Sequence, residues 1–174
     1  DLICTGAASA TAARAQALSA LGRQDEASQA LDRLRFLLDR LPDQVTAPSA
    51  TWFGYPEYKL RHVESYVNTR LGRTREASRA QDAALSVYPA GKYRGMSQVE
   101  LHRAACMIMD GFVQEGIAHA TTTLQSLPAE LRNDALVHNV AQAALTAVPA
   151  QARVLAPVAE YRHMLTTTTG PRGA

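Results

Sequence analysis

Cysteine is scarce, lysine nearly absent and aromatic residues few in this chain of 174 residues, and each shortage removes a class of answer. Two cysteines, Cys4 and Cys106, cannot make a disulfide framework in a chain this long, and nothing points to an oxidising compartment. A cytoplasmic setting is therefore expected. No run approaches the roughly 18 apolar residues that span a bilayer, and the opening Asp1-Leu2-Ile3-Cys4-Thr5-Gly6 lacks the charged n-region and apolar h-region of a signal peptide. Neither a membrane nor export is expected. Lys+Arg 18 against Asp+Glu 16 gives a net charge of only +2, so this segment has no basic excess to spend on nucleic-acid phosphates. Aromatics at 6% beside hydrophobics at 47%, with alanine abundant, favour closely packed helices over a sheet core of aromatic and β-branched residues. The chain is expected to be all-α. Its basic residues are almost all arginine, with Lys59 and Lys92 the only lysines, a bias of GC-rich genomes rather than of a function. It opens on Asp1 rather than Met, which predicts a piece of a longer protein.

What is present is a repeat. Leu21-Gly22-Arg23-Gln24-Asp25-Glu26-Ala27 returns fifty residues later as Leu71-Gly72-Arg73-Thr74-Arg75-Glu76-Ala77, identical at five of seven positions. Asp110-Gly111-Phe112-Val113-Gln114-Glu115-Gly116 is a weaker third copy with glycine in the alanine slot. Glycine ends one helix in the left-handed conformation, and the acidic residue sits in the first turn of the next, where the helix dipole favours it. Alanine or glycine then lets two helices approach closely. Each hinge leads into an apolar-periodic helix that stops near a proline: Glu26 to Leu41, Glu76 to Tyr88 and Glu115 to Leu127. A fourth pair is expected from Asn133 to Val148 and from Ala150 to Leu165, with Pro157 starting or kinking its second helix. Residues 166–174 read as a disordered tail.

These positions resemble the tetratricopeptide repeat, at Gly72, Ala77, Ala84, Leu85 and Pro89, less fully at Gly111, Leu124 and Pro128, and at Gly22, Ala27 and Leu31. The resemblance implies a right-handed solenoid of three to four helical hairpins forming a single domain over residues 1–165. The chain departs from the repeat where Arg61, Glu64 and Asn68, and Glu100 and Arg103, replace apolar residues on first helices. The runs Pro56–Tyr66 and Glu100–Cys106 also look like the C-terminal halves of helix-turn-helix (Cro/repressor-type) regulators from high-GC bacteria. That resemblance implies a sensor array behind a DNA-binding domain, and no helix-turn-helix lies within these residues.

On the repeat's first helices, Arg61, His62 and Tyr66, then His102 and Arg103, then His138 and Asn139, are the candidate ligand-binding residues, since the resemblance places them along a concave groove. Arginine, histidine and asparagine suit an extended peptide, whose carbonyls or terminal carboxylate they can clamp with charge-assisted hydrogen bonds. The plainer reading pairs Arg61 with Glu64 and Glu100 with Arg103 as surface ion pairs. The stretch Pro42 to Tyr55 is the longest without structure and, with Tyr58, gathers four of the ten aromatics within seven residues: Trp52, Phe53, Tyr55 and Tyr58. These form either a lid over a groove or a plug in the seam between the first two repeats.

Other motifs carry less. His102, Cys106 and Asp110 share a helical face as metal ligands do, but no second ligand pair exists, and Cys106 reads as core. Met107 and Met109 read as gap-filling core. Gly91-Lys92 lacks the rest of a P-loop, and no nucleophile elbow, HExxH or acid–base couple can be named. Ser97-Gln98-Val99-Glu100 satisfies a capping box, predicting a helix start at Ser97. The expected protein is thus not an enzyme and uses no cofactor. It recognises a peptide or protein segment as part of a bacterial transcriptional regulator, or serves as a constitutive scaffold; a homodimer is left open.

Overall fold

Glycine sets the hairpin turns. In the computed structural model, which describes residues 3–47 and 54–167, Gly22, Gly72 and Gly111 have φ of 71°, 69° and 96°, the left-handed region that a Cβ disfavours. At each, the residue after the glycine donates its N–H back five residues, to Leu18, Asn68 and Met107 carbonyls at 2.9 Å, and the glycine N–H reaches the Ser19, Thr69 and Ile108 carbonyls at 3.1 Å. This pair of bonds satisfies carbonyls that the ending helix would otherwise orphan, and the same turn is built three times.

Every element among the described residues is helical. The chain divides into two compact units, Asp1–Ala90 and Gly91–Ala174. The first unit holds α1 (Thr5–Ala20), α2 (Gln24–Leu38), the single turn α3 (Asp43–Thr46), α4 (Glu57–Arg70) and α5 (Thr74–Val87). Helix α1 packs on α2 and α4 on α5 across the glycine turns, and α1 also packs on α4. Alanine makes the close approach possible: Ala8, Ala12 and Ala15 of α1 and Ala27, Ala30 of α2 are buried with Leu31 and Leu34, a stripe at helical spacing.

The second unit holds α6 (Tyr93–Met109), α7 (Val113–Gln125), the single turn α8 (Ala129–Arg132), α9 (Ala135–Thr146) and α10 (Ala156–Thr167). Helix α6 packs on α7 and α9, and α10 on α7 and α9, over a core of Leu101, Ile108, Ile117, Val137, Tyr161 and Leu165. Gly116 lies where a Cβ would stand 2.6 Å from Ile108 Cγ1 and 2.8 Å from the Ala104 carbonyl oxygen, so α6 and α7 touch backbone to backbone there. Asp134 caps α9, accepting from the Leu136 and Val137 N–H groups at 3.0 and 3.2 Å, and its other oxygen pairs with Arg94 at 2.8 Å.

Several expectations need correction. The stretch from Pro42 contains the helical turn α3, and Tyr55 beyond it is buried in the first core, its N–H bonded to the Val45 carbonyl at 2.7 Å. Trp52 and Phe53 lie outside the described residues. Ser97 does not start a helix: α6 begins four residues earlier, and the Ser97 hydroxyl donates to the Arg94 carbonyl at 2.9 Å from inside it. The fourth pair runs over α9 and α10 with a 3-10 turn, Ala150–Ala152, between them, and Pro157 sits in the first turn of α10, where its missing N–H has no partner to lose. Thr166 and Thr167 belong to α10; the remainder of the expected tail, 168–174, lies outside the described residues. No helix among the described residues is long and apolar enough to cross a membrane.

Candidate functional site

The departures from the repeat pattern on α4 come together in space. Arg61, Glu64 and Asn68 stand at i, i+3 and i+7, one stripe of a helix, and that stripe lines a cavity of about 470 Å³ in the first unit. Helix α2 contributes Ser28, Leu31, Asp32 and Arg35, and the start of α5 contributes Arg73, Glu76, Arg79 and Ala80. The lining comes from both second helices of the unit and from α4, with none from α1, so the groove does not follow first helices alone as the repeat resemblance implies.

Glu64 is its anchor. The side chain is 5% exposed, and each oxygen has its own guanidinium: Oε1 meets Arg35 Nε at 2.8 Å and Nη2 at 2.7 Å, while Oε2 accepts from Arg61 Nη1 at 3.0 Å. Burial of a carboxylate is costly unless such partners replace its water. Arg35 continues to Asp32 at 2.8 Å, and Arg61 to Glu57 at 3.0 Å, so two arginines and three carboxylates form one network joining α2 to α4. Burial pulls the Arg61 guanidinium down, but hydrogen bonds to Glu64 and Glu57 outweigh it and hold the group above its ordinary value. Across the cavity, Arg73 donates from Nη1 to the Ser28 hydroxyl at 2.9 Å. Neither Arg73 nor Arg79 has a carboxylate partner among the described residues.

His62 and Tyr66, its neighbours in the sequence reading, face elsewhere. His62 Nδ1 lies 2.8 Å from the Tyr88 hydroxyl, and the Tyr88 ring packs against Tyr58 with centroids 4.9 Å apart and planes tilted by 40°, tying α4 to the end of α5. Burial lowers His62 from 6.5 to about 4, and burial, then the nearby Tyr58, raises the Tyr88 hydroxyl. Tyr66 packs beside the first core, with the Arg70 guanidinium 6.0 Å from its ring centre.

The remaining four residues belong to the second unit. His102 is buried at 4% exposure, so it lines no open surface there. Arg103 is 3.7 Å from Glu100, which also binds His119 Nε2 at 2.9 Å; that hydrogen bond, followed by Arg103, outweighs burial and lowers the Glu100 carboxyl. His138 lines a small pocket of about 110 Å³ with Arg132, Leu124 and Met164, and Asn139 is exposed beside it in sequence. The ion pairs of the plainer reading, Arg61 with Glu64 and Glu100 with Arg103, are both formed. Of the metal-like trio, His102 and Cys106 are buried and Asp110 is exposed at the end of α6; no group of three metal-ligating side chains occurs among the described residues.

Of the candidate residues read from the sequence, Arg61 lines this cavity; Arg35, Asp32, Arg73, Arg79 and Ser28 line it too and were not among those candidates. The spacing of Arg61, Glu64 and Asn68 marks a polar stripe on a helix that should be apolar, and that signal was legible. The α2 residues carry no such mark. No family model, no curated protein and no solved structure matches the chain.

Proposed function

We propose that this chain is a non-enzymatic recognition domain, a tetratricopeptide-like array of helical hairpins that binds a peptide or protein segment in the cavity of its first unit. In this reading it is the sensing part of a bacterial transcriptional regulator whose DNA-binding domain is encoded outside the chain. The observation that carries it is the cavity itself: about 470 Å³, within the range of ligand sites, and lined by four arginines, three carboxylates, an asparagine and a serine, with Leu31 and Ala80 its apolar residues. The partners of buried Glu64 account for Arg35 and Arg61, whereas Arg73 and Arg79 have no carboxylate partner among the described residues and so are not explained by stability alone. The repeated glycine turn and the packing of α1 on α4 support the hairpin array.

The test is a peptide display screen on the full chain, followed by titration of the selected sequences. The proposal expects a selected family with dissociation constants in the micromolar range, weakened about tenfold by Asn68→Ala, with amide shifts confined to α2, α4 and α5. Selected peptides that perturb only the second unit, or an empty screen, would overturn the reading. For the regulator, the codons upstream of Asp1 should encode a helix-turn-helix. An enzyme or further repeats there would favour the constitutive scaffold.

A further inference from the structure

The cavity's charges are not evenly available, and this decides what it takes. On the α2 and α4 side every carboxylate is committed: Asp32 to Arg35, Glu57 to Arg61, and Glu64 to both. Those two guanidiniums are equally committed, with Nε and both terminal nitrogens of each within 3.1 Å of a carboxylate oxygen. On the α5 side Arg73 and Arg79 line the same cavity with no carboxylate partner among the described residues, and Arg73 is held toward α2 by the Ser28 hydroxyl at 2.9 Å. A ligand cation entering here finds only Glu76 unengaged. A ligand carboxylate finds two guanidiniums, with Ser28 and Asn68 in the same lining.

We propose that the cavity between α2, α4 and α5 selects an acidic protein segment, whose Asp or Glu side chains seat on Arg73 and Arg79. The proposal rests on the recognition reading above and names the partner's chemistry. A carboxylate held by an arginine fork makes short charge-assisted hydrogen bonds, and two such forks at one cavity discriminate by charge as well as by shape. The paired network around Glu64 keeps Arg35 and Arg61 occupied, so the anion-binding capacity lies on α5 alone. Glu76, one turn from each of these arginines on the same helix, opposes an acidic ligand and tunes its affinity downward.

The experiment titrates the full chain with fluorescein-labelled decapeptide pools: one rich in Asp and Glu, one rich in Lys and Arg, one neutral, each with free and with amidated C-termini. Free glutamate and inorganic phosphate serve as small-anion probes. The expected result is that the acidic pool binds about tenfold tighter than the neutral one, weakens with added salt, and is indifferent to amidation. Arg73→Ala with Arg79→Ala should abolish that preference, Glu76→Gln should strengthen it, and Arg103→Ala with Arg132→Ala in the second unit should leave it unchanged. Circular dichroism of each variant separates lost binding from lost folding, and Glu76→Gln keeps the test open should the double variant unfold. Preference for the neutral or basic pool, or unchanged binding in the α5 variants, overturns this inference and leaves the recognition reading standing. Dependence on a free C-terminus, or full competition by glutamate or phosphate alone, overturns the acidic segment as occupant. Binding of no pool overturns both.

Discussion

Glu64 sits at the point where hairpin one meets hairpin two, and its chemistry admits little change. Glutamine in its place keeps one oxygen for Arg35 but turns an amide donor toward the Arg61 donor. Glu64→Gln should therefore lower stability by about 1–3 kcal/mol, a range bounded by the part-exposed arginines that can return to water. Urea denaturation of variant and wild type checks this; an unchanged midpoint would mean the network is idle. His62 makes the complementary prediction through protonation. Its ordinary value of 6.5 falls to about 4 in the fold, so as pH drops the unfolded chain takes up the proton first and stability is lost between those values. The loss should reach about 3 kcal/mol at most. Glu100, held below its ordinary value by His119, loses its contribution as pH falls below that value in both proteins, so the comparison of interest is between wild type and His62→Gln. The difference between their stability curves should shrink as pH falls toward 4; parallel curves would place His62 in contact with water.

At the scale of the element, the glycine at the third hinge and the glycine after it do different things. Gly116→Ala puts a methyl into the Ala104 carbonyl and Ile108, and neither a backbone oxygen nor a packed branched side chain can retreat cheaply. A loss of about 1–3 kcal/mol is expected from such overpacking. Gly72→Ala has open space around it but a φ of 69°, so its cost of about 1 kcal/mol comes from backbone strain alone. Thermal melts rank the two, and the reverse order would show that α6 can move away from α7.

The hinges were legible because their information is local: a glycine, a glutamate four positions on, and a small residue directly after it. The helices around them were legible for the same reason. What was not legible is relational. Arg35 reaches Glu64 across 29 residues, and no spacing within α2 announces it. Ser97 and Glu100 have the form of a capping box, yet the helix had already begun at Tyr93, and Glu100 turned instead to His119 on the next helix. His62 and His102 look equivalent in the sequence, but counted back from Gly72 and Gly111 they are one position out of register. One residue is about 100° of helix rotation, enough to put His102 in the buried position that Val63 holds in α4. Arg61 and Glu64 are in register with Glu100 and Arg103, the same ion pair with its signs exchanged.

At the scale of the whole chain, each compact unit carries its own buried cluster, Leu18, Leu34 and Val67 among others in the first and Leu101, Ile117 and Tyr161 in the second. Fragments 1–90 and 91–174 should each be helical and melt cooperatively when expressed alone, as separate cores allow. Circular dichroism checks both, and a fragment that remains a coil would mean that its core is not self-sufficient. The thrice-built turn has a consequence for how such a chain is made. Each one closes with hydrogen bonds that look back no more than five residues, and each helix pair it joins is adjacent in sequence. A ribosome releases the chain from its N-terminus, so each turn and the two helices it joins can form before the next pair emerges, while the packing of α1 on α4 and the Arg35–Glu64 bond must wait for α4.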